Sequence, residues 1–399
     1  MKISIVGGLG FGDEGKGAVT DYLVRRDCAG LVVRYNGGNQ AAHNVTAPDG
    51  RHHTFSQFGA GTLAGARTFL SKHMLVEPIA LVAEACVLAG KGIDDPLSLI
   101  NIDPACTVIT RYHRYANRHR ERLRGDQRHG SVGLGVGEAR ADELEGRVLK
   151  FGDLDNEEKA LAILERIATH KREELPGCAS MWEDPMYILR QLKGLNLESL
   201  QMPWELEAHD LDGPIVFEGA QGLLLDETLG FAPHNTWTDC TFGNAVSLLD
   251  EIGVDAGQAE KVGIIRSYHT RHGAGPFPTE DASLAPAVPE MNNKTETYMG
   301  SFRVGHFDIS ALDYAVWRSN INYIALTHCD RRPSKKVGRY GFIPIGDTTF
   351  MQNAVPEYLN VDDLPAWLTD VLRVPVGLTG NGPTADHYKP YQPREGRAK

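Results

Sequence analysis

Short apolar runs recur along this chain, and each is bounded by glycine, proline or polar residues. They span residues 3–6, 31–33, 214–217, 262–265, 323–326 and 374–378. They are rich in isoleucine and valine and have no alternating polar positions, which is typical of strands buried on both faces. The pattern therefore predicts a sheet whose strands run mostly parallel.

Two stretches between these runs have a helical pattern, namely residues 77–88 and 156–171. In the second, apolar Leu161, Ile163, Leu164 and Ile167 lie among charged residues, as on one face of a helix. The prediction is an α/β fold with a large, mostly parallel central sheet and flanking helices. Because no linker rich in proline, serine or glycine separates two halves, we expect a single domain over residues 1–399, with a polar tail at about 393–399.

Composition narrows the class of protein. The chain has 399 residues, 42% of them hydrophobic, which is enough for a large core. Its net charge of −11 argues against binding nucleic acid by general electrostatics, and no uncharged apolar stretch is long enough to cross a membrane. The cysteines lie far apart without a C-x-x-C pair, so we expect reduced thiols and a cytoplasmic protein.

One segment departs from this acidic background. Arginines and histidines crowd together between residues 111 and 129, just before a glycine-rich turn. This pattern is typical of the solvated face of a helix, and equally of a basic surface that faces phosphate or a second subunit.

The first apolar run leads directly into a glycine-rich loop, residues 7–17, and then into a predicted helix at 18–24. Main-chain amides and the helix dipole converge at such a loop and favour phosphate. A dinucleotide fingerprint would need an acidic residue after the second strand, where Arg34 and Asn36 lie instead. The loop matches G-x-x-x-x-G-K, but Gly17 occupies the position of the usual Mg²⁺-binding Ser or Thr. Asp13 is then the candidate metal ligand or base.

Several blocks resemble the adenylosuccinate synthetase family. Its G-D-E-G-K-G loop appears at residues 12–17, and its R-Y-x-G-G-x-x-A-G-H block at 34–43. Its F-E-G-A-Q-G block appears at 217–222, T-R-V-G-A-G-P-F-P-T-E at 270–280, and T-K-L-D at 327–330. The blocks occur in the family's order over nearly the whole chain.

The resemblance implies a ligase of the adenylosuccinate synthetase fold, with a P-loop-like nucleotide site. L-Aspartate condenses with the 6-oxo group of a purine nucleotide while a nucleoside triphosphate, GTP or ATP, is cleaved with Mg²⁺. By resemblance Asp13 is the base that removes the N1 proton, His43 is the acid, and Lys16 neutralises the transferred phosphoryl group. Mg²⁺ would lie between Asp13, the phosphates and the main-chain carbonyl of Ala42.

The family's other roles carry over position by position and give three sets of binding residues. The triphosphate set is Gly12, Glu14, Gly15, Lys16, Gly17, Thr327, Asp330 and Gly380, with Asp330 pairing with guanine. The monophosphate set is Asp13, Gln40, Ser131, Arg147, Gln221, Thr236, Arg271 and Gly273. The aspartate set is Thr295, Thr297 and Arg303. Arg147 matches an arginine that enters the neighbouring subunit's site, which implies a homodimer.

The departures from the family pattern cluster on the purine monophosphate and aspartate sides. N-A-G-H becomes Gln40-Ala41-Ala42-His43, the second phosphate-loop threonine becomes Val132, and an arginine-rich block becomes residues 300–306 with Arg303 retained. This pattern is similar to the bacteriophage branch of the family, the 2-aminoadenylosuccinate synthetases, which use dGMP. Residues 55–62 also resemble that branch.

Three alternatives stay open on the sequence alone. The first is ordinary adenylosuccinate synthesis from IMP, which is the same chemistry on another purine. The second is a P-loop GTPase switch, against which Gly17 and Asp13 argue. The third is a nucleotide-binding module that grips nucleic acid through residues 111–129, which the net acidity disfavours.

Overall fold

The computed structural model describes residues 2–125, 128–176, 182–209, 213–290 and 300–392. The strands are β1 (Ile3–Gly8), β2 (Leu31–Arg34), β3 (His43–Thr46), β4 (His52–Phe55), β5 (Arg67–Leu70), β6 (Leu75–Val76), β7 (Ile100–Ile102), β8 (Thr107–Val108), β9 (Ile215–Glu218), β10 (Glu260–Arg266), β11 (His269–His272), β12 (Phe302–Gly305), β13 (Phe307–Asp308), β14 (Tyr323–Thr327), β15 (Lys336–Arg339), β16 (Glu357–Asn360), β17 (Val376–Gly380) and β18 (Tyr388–Pro390). The helices are α1 (Lys16–Asp27), α2 (Pro78–Ala89), α3 (Arg111–Arg124), α4 (Val136–Leu144), α5 (Glu157–Glu174), α6 (Pro185–Lys193), α7 (Trp204–His209), α8 (Gly243–Glu251), α9 (Ile309–Ser319), α10 (Thr348–Asn353) and α11 (Leu364–Leu372). The tail at 393–399 lies outside the described residues.

A nine-stranded sheet forms the centre, in the order β18-β17-β14-β10-β1-β9-β2-β5-β7. All pairs in it are parallel except β17 with the edge strand β18. Each of the six predicted strands lies in this sheet, and the α/β prediction with a mostly parallel central sheet is confirmed.

Both faces of the sheet are buried, which explains the continuous apolar runs. Ile5, Val33 and Phe217 pack into one hydrophobic cluster, whereas their neighbours Val6 and Val216 pack into another against helix α1. Adjacent strand residues point to opposite faces, so a strand with no polar face needs a cover on each side. Helices α1, α8, α9 and α11 supply residues to that cover.

The two predicted helices begin where local capping chemistry allows. Glu77 accepts a hydrogen bond from the Ala80 amide at the start of α2, and Asn156 accepts one from the Lys159 amide at the start of α5. Such side chains satisfy amides that have no partner within the helix. None of the helices in the described ranges is both long and apolar enough to span a membrane.

Residues 111–124 of the basic segment form α3. Arg111 pairs with Glu183, Arg120 with Glu138 and Glu174, and Arg124 with Glu121. These pairs fit the face of a solvated helix. Arg118 also donates to the carbonyl of Gly133, so α3 supports the turn that carries Ser131.

Parallel strands bring their carboxyl ends to one edge of the sheet, and ligands of open α/β sheets bind outside that edge. The glycine loop follows β1, the segment leading to His43 follows β2, and the segment with Gln221 follows β9. Ser267 follows β10 and His328 follows β14. Residues far apart in sequence therefore meet here.

Candidate active site

The loop between β1 and α1 holds a buried carboxylate of its own. Oε1 of Glu14 accepts hydrogen bonds from the amides of Gly10 (3.0 Å) and Gly12 (2.8 Å), and Nζ of Lys16 lies 2.5 Å from Oε2. Gly12, Asp13 and Gly15 have positive φ angles, a conformation that glycine adopts without steric cost. The amides of Gly10 and Gly12 are therefore paired with Glu14, and Lys16 must leave or share Glu14 to reach a phosphate; the phosphate site stays a prediction.

Asp13 is half-buried at the tip of this loop. Arg266, at the end of β10, donates from Nε to the main-chain oxygen of Asp13 and so fixes the loop to the sheet. Burial raises the pKa of the Asp13 carboxyl, while the positive charges of Arg266 and Lys16 oppose this. A carboxylate with raised basicity beside cations is suited to accept a proton.

His43 begins β3 and forms a buried dyad with Glu218 at the end of β9. Nδ1 of His43 lies 2.6 Å from Oε1 of Glu218, whose other oxygen accepts from the Ala60 amide at 2.9 Å. Fully buried Arg34 has its Nε 3.8 Å from the same carboxylate. A carboxylate on Nδ1 orients the ring and leaves Nε2 to face the site.

The pKa values in this dyad follow from burial and charge. Burial lowers the pKa of His43, and the adjacent Glu218 carboxylate opposes that shift. Burial alone would raise the pKa of Glu218, but His43, Arg34 and the Ala60 amide bring it below its ordinary value. Glu218 therefore stays ionised and supports a proton on His43 during the reaction.

The first turn of α1 packs directly on His43. A Cβ atom added to Gly17 would lie 2.9 Å from Cβ of His43 and 3.1 Å from the carbonyl oxygen of Asn44. Only glycine permits this approach, which explains why no Ser or Thr follows Lys16. The triphosphate loop and the predicted acid are thus parts of one packed unit.

We expect Gly17→Ala to displace His43 and lower kcat roughly 100-fold, because small misplacements of reacting groups carry costs of that order. The rate of the condensation of aspartate with a purine nucleotide, which the resemblance implies, measures the effect, and circular dichroism checks that the fold persists. Gly30→Ala is the matched control, since no atom lies within 4 Å of its added Cβ. Equal rates in both variants would contradict the proposed close contact.

The predicted monophosphate residues lie in separate elements around the loop. Gln40 and Gln221 both approach Gly37, where an added Cβ would lie 3.7 Å from Nε2 of Gln40 and from Oε1 of Gln221. Both polar side-chain atoms of Gln40 are buried and have no hydrogen-bond partner in the described parts of the chain. The hydroxyl of Thr238 donates a hydrogen bond to Oε1 of Gln221, and the main-chain amide of Thr236 donates one to the carbonyl of Leu225.

Ser131 and Arg147 are placed by helices α3, α4 and α5. Oγ of Ser131 accepts from Asn117 at 2.9 Å. Arg147 pairs with Glu145 and lies 2.9 Å from Nε2 of His170, within this chain. Its contact with a second subunit stays a prediction.

Arg271 and Arg303 bind the segment 273–280 that follows β11. Arg271 is buried and donates to the carbonyls of Ala274, Pro276 and His234, and burial lowers its pKa to about 9. Arg303 forms a bidentate pair with Glu280 and donates to Gly273 and Gly275. Their predicted substrate contacts, and that of Gly273, stay predictions.

Thr295 and Thr297, the other predicted aspartate ligands, lie outside the described residues. A dicarboxylate substrate that binds Arg303 has to compete with Glu280 for the same guanidinium face.

The predicted base-binding residues lie at the ends of β14 and β17. Thr327 is buried and donates to the carbonyl of Glu14 at 2.6 Å, which ties this end of the sheet to the glycine loop. Asp330 is exposed in the short helical turn after β14. Gly380 ends β17, and an added Cβ there would lie 2.6 Å from the Tyr388 ring. This arrangement leaves the Asp330 carboxylate open to a base.

The oxygen atoms offered by the protein here suit a magnesium ion whose other ligands are phosphate oxygens of a bound nucleotide. Across the described ranges, no group of three or more His, Cys, Asp or Glu side chains is arranged to hold a metal. Mg²⁺ in phosphate sites takes one or two protein oxygens and completes its shell with phosphates and water. The carboxylate of Asp13 and the main-chain carbonyl of the exposed residue Ala42 are ligands of that kind.

Sequence reasoning missed two residues of this site. Glu218 was visible only as one letter of the F-E-G-A-Q-G block, and its partner His43 is 175 positions away. Arg266 ends an apolar strand, and only the fold shows that it reaches Asp13. A buried acidic residue at the end of a parallel strand was the available signal for Glu218.

Comparison with known proteins agrees with this geometry. A family model described as adenylosuccinate synthetase matches residues 5–336. The adenylosuccinate synthetase of Halothermothrix orenii is 29% identical over 96% of this chain and 97% of its own length. That of Pseudomonas fluorescens is 32% identical over 82% of this chain and 77% of its own length.

Two solved structures share the fold. Fully ligated adenylosuccinate synthetase from Plasmodium falciparum has a TM-score of 0.84 at 19% identity, covering 98% of this chain and all of that one. Cyanophage S-2L succinoaminodeoxyadenylate synthetase, bound to dGMP and to dATP as an energy donor, has a TM-score of 0.67 at 18% identity. It covers 98% of this chain and 95% of that one.

Proposed function

Since the chain belongs to the adenylosuccinate synthetase family of carbon–nitrogen ligases, we propose that it joins L-aspartate to the 6-oxo position of dGMP. The product would be the 2-aminoadenylosuccinate deoxynucleotide. The observation that carries the proposal is an intact catalytic set, Asp13, Lys16 and the His43–Glu218 dyad, beside a purine side that departs from the family. Because the chain belongs to this ligase family, the alternative of a P-loop GTPase switch is set aside.

In the proposed reaction Asp13 takes the N1 proton of the purine, which makes its 6-oxo oxygen nucleophilic. That oxygen accepts the γ-phosphoryl group, and Lys16 and the loop amides stabilise the charge on the group in transfer. His43, oriented by Glu218, donates a proton or hydrogen bond to the β-phosphate oxygen that leaves with the nucleoside diphosphate. The amine of aspartate then forms a bond to C6, the C6–O bond breaks to release inorganic phosphate, and the proton that the amine loses passes to that phosphate. Mg²⁺, used by the family, neutralises phosphate charge when bound.

Two features of this chain and one similar protein support guanine as the purine, and its chemistry is compatible with the same catalytic residues. Gln40, Ala42 and Val132 depart from the family pattern on the monophosphate side. The buried amide of Gln40 lacks a partner in the described ranges, so a polar ligand group can complete it. Guanine presents the same N1–H and 6-oxo group to Asp13 as hypoxanthine and differs by its 2-amino group. The dGMP-bound cyanophage enzyme shares this fold.

A second candidate is the condensation of aspartate with IMP, driven by GTP. The related proteins that match over most of their length, at 29–32% identity, carry the name adenylosuccinate synthetase. The two candidates use the same catalytic residues and differ in the group at purine position 2 and in the 2′-hydroxyl of the sugar.

The deciding experiment offers IMP, GMP, dIMP and dGMP separately, with aspartate, Mg²⁺ and either GTP or ATP, and measures the succino-nucleotide by mass. Product from dGMP in preference to the other nucleotides supports the proposal. Product from IMP alone overturns it in favour of the second candidate.

In either case we propose a cytoplasmic homodimer in which Arg147 serves the partner's monophosphate site.

We propose GTP as the donor, with ATP as the alternative, because an exposed carboxylate such as that of Asp330 can accept from both N1 and N2 of guanine. Asp330→Asn is expected to lower kcat/KM for GTP roughly 10- to 100-fold relative to ATP, as for loss of a charged hydrogen-bond pair. Initial rates with each donor measure the ratio. Asp386→Asn, in the turn before β18, is the control, and an unchanged donor ratio in Asp330→Asn would assign base recognition elsewhere.

A further inference from the structure

The turn that carries Ser131 has a single hydroxyl group. Residues 130–135 read G-S-V-G-L-G, and Val132 occupies the position of the second threonine in the family's turn. Helix α4 begins directly after the turn, at Val136, and the N-terminal end of a helix favours an anion. If a phosphate group binds here, Ser131 is the one side chain of the turn that can donate a hydrogen bond to it.

Helix α3 holds this turn through two consecutive residues. Arg118 donates from Nε to the carbonyl of Gly133 at 2.9 Å, and Asn117 contacts both Ser131 and Gly135. A Cβ atom added to Gly135 would lie 2.7 Å from main-chain atoms of α3, so the turn packs directly on the helix backbone. The helix therefore fixes the turn at three of its six positions.

The side-chain amide of Asn117 has a defined orientation. The main-chain amide of Gly135 lies 3.2 Å from Oδ1 of Asn117, and because a main-chain amide can only donate, the oxygen has to face Gly135. Nδ2 of Asn117 then faces Oγ of Ser131 at 2.9 Å, and an NH2 group can only donate. The Ser131 hydroxyl is therefore the acceptor in this bond.

The hydrogen of the Ser131 hydroxyl is left for another acceptor. A hydroxyl donates one hydrogen and rotates to place it. In the ranges that the structure describes, the Ser131 hydroxyl bonds to Asn117 and donates to no protein atom. Both residues are half-buried, so the pair lies near the surface and not in the core. An acceptor on a ligand, such as a phosphate oxygen, would complete the arrangement.

The turn also lies beside Thr236, which is another predicted monophosphate residue. The ring centroids of His129 and His234 are 6.4 Å apart, and a Cβ atom added to Gly137 would lie 3.7 Å from the Trp237 ring. His129 and Gly137 stand just before and just after the turn, while His234 and Trp237 stand on either side of Thr236 in the chain. Contacts at both ends thus bring the two predicted binding segments together.

We propose that Asn117 is a positioning residue that directs the Ser131 hydroxyl to donate to the monophosphate of the purine nucleotide. The inference rests on the proposed function, in whose substrate site Ser131 is expected to bind that phosphate. Asn117 acts through Ser131 and needs no contact with the nucleotide. Because Asn117 fixes the direction of the bond, one hydroxyl can serve in a turn where the family has two threonines.

Asn117→Asp tests the direction of this bond with little change in shape. The carboxylate still accepts from the Gly135 amide, but it presents an oxygen to Ser131, so the hydroxyl donates to the carboxylate and not to the phosphate. We expect KM for the purine monophosphate to rise roughly 10- to 100-fold, while kcat and KM for the triphosphate change less than about threefold. Asn353→Asp, the same change at the exposed end of α10, is the control.

A double-mutant cycle with Ser131→Ala separates the hydroxyl from the added charge. If Asn117→Asp acts through the hydroxyl, most of the rise in KM disappears in the Ser131→Ala background. An undiminished rise in that background would show that the negative charge repels the phosphate, and the role of Asn117 would be wrong. An unchanged KM in Asn117→Asp would also overturn the role and limit Asn117 to holding the turn through Gly135.

The outcomes separate this inference from the proposed function. If Ser131→Ala alone leaves KM for the monophosphate unchanged, Ser131 does not bind the phosphate and the inference is overturned, whereas the choice of dGMP over IMP stands on its own assay. If the unmodified enzyme uses IMP alone, the substrate proposal is overturned, and the same rise in KM measured with IMP still supports the role of Asn117.

Discussion

Asp13→Asn is expected to lower kcat for succino-nucleotide formation by roughly 10³- to 10⁴-fold, the upper range for loss of a general base. An amide of the same shape cannot take the N1 proton, so the 6-oxo oxygen stays a poor nucleophile. The main-chain oxygen of Asp13 still accepts from Arg266, and Glu14 still holds the loop amides. Triphosphate binding, measured by calorimetry without Mg²⁺, is therefore expected to change little.

The pH profile gives an independent check of the same role. Burial raises the pKa of Asp13 above its ordinary value of 3.8, so the base becomes protonated at a higher pH than an exposed aspartate would. The rate of the unmodified enzyme should fall, as pH decreases, through that raised pKa. Asp49→Asn, on an exposed turn, is the control and should leave the profile unchanged. Normal turnover in Asp13→Asn would show that another group removes the proton.

Glu218→Gln is expected to lower kcat by roughly 10²- to 10³-fold, because His43 loses the carboxylate that orients its ring and supports its charged form. The variant also leaves the buried guanidinium of Arg34 without its counter-charge, and breaking a buried ion pair costs about 3–5 kcal/mol of folding free energy. Both the rate and the unfolding temperature should therefore fall. Steady-state kinetics and thermal melts measure the two effects.

The direction of the pH shift distinguishes orientation from simple destabilisation. Glu218 opposes the lowering of the His43 pKa by burial, so its loss should lower that pKa further. The alkaline limb of the rate profile should then move to lower pH. Glu84→Gln is the control, since Glu84 is a buried carboxylate that accepts from the amides of Ser56 and Gln57. A fall in stability without a shift of that limb would limit Glu218 to a structural role.

The sheet could be predicted where strands are buried on both faces. Residues such as Ile5, Val33 and Phe217 form continuous apolar runs because helices cover each side. Strands β5 and β7 escaped prediction, since β5 begins at exposed Arg67 and β7 has only three residues with Asn101 in the middle. Short strands at the end of a sheet depend on pairing that the local pattern does not encode.

The candidate site was predictable only where one segment carries the chemistry. The glycine loop contains Asp13, Lys16 and Gly17 within a few positions, so its composition alone indicated phosphate. The dyad of His43 and Glu218 joins β3 to the end of β9, and the Arg266 contact joins β10 to the loop. Those pairings follow from strand order, which the hydrophobic pattern leaves open.

Strand order also governs how this enzyme can assemble during folding. β1 lies in the middle of the sheet between β9 and β10, whose residues follow it by more than 200 positions. Such pairings close long loops and make folding slow, because chain entropy is lost before the contacts form. Asp13 can meet Arg266, and His43 can meet Glu218, only after those distant strands have joined β1. Activity should therefore appear in one late step of refolding, together with the central strands.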